Sequence, residues 1–160
     1  MKPLTSRPHM PGYGIAGPDE GKGLLPWNWA VLRLTKAHNY WIATTRPDGR
    51  PHLMAIWGVW LDDAFYFSTD SGSRKARNLA ESPNCVVSTE RGDEAVIVEG
   101  TAKRARRGPA LEKAIRLYRR KYGWTLDPKE SPLYIVRPSV AFGFIETADD
   151  FVNTATRWKF

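Results

Sequence analysis

Between Asn39 and Phe67, runs of strand-forming residues follow one another across turns too short to hold a helix, which excludes the strand–helix alternation of a parallel sheet. Asn39-Tyr40-Trp41-Ile42-Ala43-Thr44-Thr45 is rich in branched and aromatic residues. Pro47-Asp48-Gly49-Arg50 supplies a turn into a second run, residues 52–60, and Asp62-Asp63 connects tightly to the aromatic run Phe65-Tyr66-Phe67. Three successive antiparallel strands are expected. Farther along, residues 84–89 and 95–102 form two more strands joined by Glu90-Arg91-Gly92-Asp93, and Gly100 marks a bulge or a close backbone approach. Residues 134–145 read as a long strand interrupted at Pro138, and residues 154–160 close the chain. Helices fill the gaps. One begins near Pro26 with Trp27, Ala30, Val31 and Leu34 on one face; another spans 109–122, with Leu111, Ala114, Ile115 and Tyr118 at helical spacing. This pattern predicts a mainly β fold, a closed or partly open antiparallel barrel with peripheral α-helices. The length of 160 residues fits one domain. Residues 1–23, rich in Pro and Gly, read as an N-terminal arm or disordered leader, and 24–160 as the barrel domain.

The third strand runs straight into chemistry. After Ser68-Thr69-Asp70 comes the polar turn Ser71-Gly72-Ser73, then Arg74-Lys75-Ala76-Arg77-Asn78-Leu79, a basic helix start whose apolar stripe is Ala76, Leu79 and Ala80 and which Pro83 stops. Ser73 is the expected N-cap. Free N–H groups and the positive end of the helix dipole would face an anion in the turn, with Arg74 and Lys75 adding charge and Ser68 and Thr69 adding hydroxyl donors. A phosphate fits that arrangement, and a solvated basic helix face fits the same residues. The net charge of +7 points to an acidic partner without choosing among nucleic acid, a membrane surface and a small anion. No apolar run reaches transmembrane length and no secretory pattern opens the chain, so a cytoplasmic location is expected. The lone Cys85, in an apolar run, is a packing residue, and no His, Cys, Asp or Glu cluster has metal-ligand spacing.

The order of strand, Ser-Arg-Lys turn, helix ending in Ser82-Pro83-Asn84, apolar strand and Val96-Ile97-Val98-Glu99-Gly100-Thr101-Ala102 resembles the pyridoxamine 5'-phosphate oxidase-like flavin-binding split-barrel superfamily. The resemblance runs unbroken from about Trp27 to Ala102. It implies a six-stranded split β-barrel, a homodimer, and a cofactor in each groove between subunits. Arg74 and Lys75 then match the pair that grips the cofactor phosphate, with Ser73 at the head of the same helix. Ser68 and Thr69 match the residues touching the phosphate and ribityl chain, and the strand carrying His52, Met54, Ile56 and Trp57 the one running along the ring. Two departures separate the chain from the pyridoxamine oxidases: Ala95 stands where they resemble one another in having a Gln, and Arg157-Trp158-Lys159-Phe160 replaces their C-terminal Arg-Leu-x-Pro. Lys75-Ala76-Arg77-Asn78-Leu79 and the aromatic-basic tail are instead similar to the branch that uses the deazaflavin coenzyme F420.

The expected chemistry is hydride transfer to an unsaturated small molecule, in which the cofactor does most of the work. His52 is the best-placed proton donor, with His38 and Tyr40 as other available acids. Trp41, Trp57 and Trp158 are candidate flat walls for ring or substrate, and Arg104, Arg106, Arg107, Arg119 and Arg120 are candidate contacts for an oligoglutamate tail. FMN is the alternative cofactor. A non-enzymatic cofactor or nucleic-acid binder is a third reading, disfavoured because the aromatics fall in strand interiors and are not interleaved with the basic residues.

Overall fold

In the computed structural model, which describes residues 2–160, the branched and aromatic runs become strands. They are β1 (Leu4–Ser6), β2 (Tyr40–Thr45), β3 (Pro51–Ile56), β4 (Gly58–Leu61), β5 (Ala64–Ser68), β6 (Asn84–Thr89), β7 (Glu94–Arg104), β8 (Leu133–Ile145) and β9 (Thr156–Lys159). The helices are α1 (Trp27–Lys36), α2 (Arg74–Glu81), α3 (Pro109–Tyr122) and α4 (Ala148–Thr154). Every strand pairing is antiparallel. The main ladder runs β1-β9-β8-β7-β6-β2-β3, while β5 pairs with both β4 and the first half of β8. Because β3 and β4 are consecutive in the chain yet lie in different ladders, the sheet curls towards closure and stays split along the free edge of β3.

The strand count is nine among the described residues, where the resemblance implied six. Residues 52–60 do not form one strand, because the chain breaks at Trp57 and resumes as β4. Gly58 makes that turn possible: a Cβ there would run into the Phe65 ring and lie 2.8 Å from the Tyr66 carbonyl oxygen. The chain ends add two short strands, with Leu4, Thr5 and Ser6 registered on Lys159, Trp158 and Arg157. Arg7 ties the same N-terminal segment down through the carbonyls of Glu20 (2.7 Å), Ala155 (3.1 Å) and Gly17 (3.3 Å). Pro138 does not end β8. The irregularity is a bulge at Glu99/Gly100, where Gly100 faces Pro138 and a Cβ would run into the Arg137 carbonyl.

Two apolar clusters hold these elements. One fills the barrel, with Leu34, Tyr40, Ile42, Phe65, Phe67, Val87 and Trp158 among its members, and α1 closes its end through Ala30 and Leu34. The other lies between β4–β5 and α3, joining Val59 and Tyr66 to Leu111, Ala114 and Tyr118. The second cluster sets α3 across the outside of the β4–β5 hairpin, so that its C-terminal turn reaches the break at Trp57. Among the described residues no helix is long and apolar enough to cross a membrane.

Candidate functional site

At the end of β5 the chain turns into α2 through a set of short polar bonds. Ser73 is the N-cap: its hydroxyl accepts from the Ala76 N–H (3.2 Å) and lies 3.0 Å from the buried Thr69 hydroxyl. The Asp70 carboxylate accepts from Gly72 N–H (2.7 Å), and the Asp70 carbonyl from Ser73 N–H (3.1 Å). The turn is thereby rigid without using the N–H groups of Arg74 and Lys75, which make no hydrogen bond among the described residues. Lys75 is half-buried, and burial alone pushes its ammonium below the usual lysine range; among the described residues no carboxylate pairs with it. Arg74 is exposed and, among the described residues, also without an ion-pair partner. The result is a concentration of positive charge and free amide donors, with the Asp70 carboxylate engaged by Gly72 N–H and no ion pair to Arg74 or Lys75 among the described residues.

Lys75 and Ser68 face Ala55, Ile56 and Trp57 across a cavity of about 340 Å³, which Asn39 and Tyr118 also line. The cavity therefore sits at the split, against the end of β3. Trp57 is a fixed wall: its indole stacks on the Tyr122 ring with centroids 4.6 Å apart and planes 5° from parallel. Tyr122 is fixed in turn, its hydroxyl accepting from Gly58 N–H (2.9 Å) with the His38 carbonyl 2.7 Å away. Lys121 donates to the Tyr40 hydroxyl (2.8 Å) and the Gly58 carbonyl (2.9 Å), and burial pushes its pKa down to about 8. The last turn of α3 thus clamps the β3–β4 break.

His52 lies on β3 opposite Thr44, and a chain of polar contacts joins it to α2. Buried Asn78 donates to the Thr44 hydroxyl (2.9 Å), which lies 3.5 Å from His52 Nδ1. Burial first, then Arg46, Lys75 and Arg74, lower the His52 pKa from its ordinary 6.5. A histidine depressed in this way is neutral in the native protein at pH 7, and its contribution to stability is lost as the pH falls through 6.5, where the unfolded chain takes up the proton first. The expected result in an NMR titration is a His52 midpoint below 6.5 that moves up in Lys75→Ala and on addition of phosphate, since both weaken the positive field. A midpoint at or above 6.5 in the free protein would contradict this electrostatic picture.

The structure brings Ile56, Trp57, Ser68 and Lys75 to one cavity and places Thr69, Ser73 and Arg74 on its flank. Met54 is half-exposed on the β3 face that carries His52. Trp158 is not brought there. Its side chain is fully buried in the barrel, packed edge-on to Trp27 at 5.3 Å and close against Gly143, so it has no surface to offer a ligand. Ser68 is shared, since its hydroxyl donates to the Ser131 carbonyl (3.0 Å). Sequence reasoning missed Asn39 and Tyr118 as lining residues, and Tyr122 and Lys121 as supports. Asn78 was visible as the polar residue of Lys-Ala-Arg-Asn-Leu, but only its complete burial shows that it carries a bond to β2.

Residues 30–142 match the pyridoxamine 5'-phosphate oxidase family, more than half of the chain, and the protein belongs to that family. Solved structures of the same fold include one titled F420 reductase, which is 24% identical, with TM-score 0.57, covering 69% of this chain and 93% of its own. A conserved hypothetical protein from Mycobacterium tuberculosis is 21% identical at TM-score 0.67, covering 78% and 88%. HutZ, a heme storage protein from Vibrio cholerae, is 16% identical at TM-score 0.57, covering 72% and 90%. No curated protein sequence matches the chain.

Proposed function

We propose that this protein is an F420-dependent oxidoreductase that passes a hydride between the reduced deazaflavin and an unsaturated small molecule. The observation that carries the reading is the half-buried, unpaired Lys75 ammonium beside the free amides of Arg74 and Lys75, opening onto a cavity walled by Trp57. That cradle suits the phosphodiester of the coenzyme, and the net charge of +7 suits its oligoglutamate tail. When bound, the coenzyme supplies the hydride chemistry. The chain supplies the rest: Arg74, Lys75, Ser73 and Thr69 hold the phosphate, the Trp57–Tyr122 stack positions a flat ring and excludes water, and His52 is the group that passes a proton. Ala95, on β7 opposite Phe144, has no polar group to offer a ring, which separates this reading from pyridoxamine 5'-phosphate oxidation.

A homodimer belongs to the same proposal. Strand register places Trp41, Leu53, Val86, Ile97, Phe142 and Phe144 on one outer face of the sheet, with Trp41 and Leu53 44% and 57% exposed. Ser88 and Glu99 share that face, and a largely apolar, partly exposed face of this kind is a usual mark of a subunit contact. The discriminating experiment titrates the protein with F420, FMN and hemin. Saturable quenching of F420 fluorescence, with FMN binding more weakly, is the expected result; tight FMN binding without F420 binding, or a hemin Soret shift alone, would overturn it.

A further inference from the structure

A second concentration of unpaired charge lies at the other end of α3. Leu111 borders it and Tyr118 borders the Trp57 cavity, seven residues or roughly 10 Å apart along the helix axis. This second cavity, about 370 Å³, is lined by Lys103, Arg104, Arg106 and Arg137, none of which has an ion-pair partner among the described residues, and by no carboxylate. At its edge α3 begins with Gly108 as N-cap and no side-chain cap, so the amides of Ala110 and Leu111 are unused. The independent pointer is Tyr66. Its side chain is 4% exposed and lines the cavity, and its hydroxyl, which makes no hydrogen bond among the described residues, is the part that opens onto it. Burial holds the hydroxyl un-ionised and Arg137 acts on it, so it is a donor facing a positive field. Asp62, the carboxylate that acts on Tyr66, is already paired with Lys113 (3.2 Å). Ala105, Ala110, Leu111 and Ile135 make the remaining wall apolar.

We infer that this cavity is a second anion site, taking a small phosphate monoester whose apolar body rests on the Leu111–Ile135 wall while Tyr66, Arg137 and the free α3 amides hold its phosphoryl oxygens. The site does not rest on the coenzyme assignment, because it shares no lining residue with the Trp57 cavity. The test is calorimetric titration with phenyl phosphate at low salt, on the full chain carrying Lys75→Ala so that the α2 cradle is weakened. Saturable binding at one site is expected. Adding Tyr66→Phe should weaken it by roughly tenfold, with the unliganded thermal midpoint unchanged because the lost hydroxyl had no partner, and adding Arg137→Ala should weaken it at least as much. Inorganic phosphate should bind more weakly for want of the apolar body, and triglutamate, standing in for an acidic tail, more weakly again. No binding of phenyl phosphate, binding indifferent to both Tyr66→Phe and Arg137→Ala, or triglutamate binding more tightly than phenyl phosphate would each overturn the inference.

Discussion

Alanine in place of Trp158 is expected to cost about 3–5 kcal/mol of folding stability, the range for emptying a large buried aromatic site. The side chain is fully buried, and its neighbours are not free to collapse into the space. Trp27, which meets Trp158 at 5.3 Å, is itself held edge-on by Phe160 at 4.9 Å and Trp60 at 5.9 Å. Gly143 is the other wall; a Cβ there would already lie 2.5 Å from the Trp158 ring. For a chain of this size the loss corresponds to a fall of roughly 6–20 °C in the thermal midpoint. The variant separates two roles for the same residue. A core residue loses the fold and ligand binding together, whereas a ligand wall would lose binding with the midpoint intact.

The second large effect is on affinity. Lys75→Ala is expected to weaken coenzyme binding by about 1.5–3 kcal/mol, roughly 10- to 150-fold, by removing a charge-assisted bond from a partly desolvated position. Its effect on folding should be near zero or slightly favourable, because burial of the unpaired ammonium is a cost in the free protein. Arg74→Ala should fall short of this loss, since Arg74 is exposed and solvent screens its charge. Measured by fluorescence titration beside a melting curve, equal losses for the two variants would show that the depth of Lys75 is irrelevant.

How far these features could be read without coordinates depended on whether they are local. The α2 start was legible because a Ser N-cap, a basic first turn and a Pro after the last turn act within a few residues of one another, and α3 keeps the bounds that its apolar spacing predicts. The bulge at Gly100 was legible for the same reason. The break at Trp57 was not. It depends on the Phe65 ring filling the space beside Gly58 and on Tyr122, far along the chain, bonding the Gly58 backbone. The pairing of Leu4–Ser6 with β9 was hidden likewise, since three residues show no periodicity and their partner lies at the other end of the sequence. Trp158 looked like a site residue in an aromatic-basic tail, and only the packing of α1 against β8 and β9 decides that it faces inward. The lowered pKa of His52 follows the same rule, because it comes first from burial and then from three cations on two other segments.

The central claim, that the first turn of α2 holds the phosphate of a redox coenzyme, is tested most directly by following the backbone amides of Arg74 and Lys75 in a ¹⁵N-resolved NMR titration with F420. The account predicts that both move downfield and saturate with the same dissociation constant that fluorescence quenching gives. Saturable binding that leaves these two amides unmoved while others shift would contradict it.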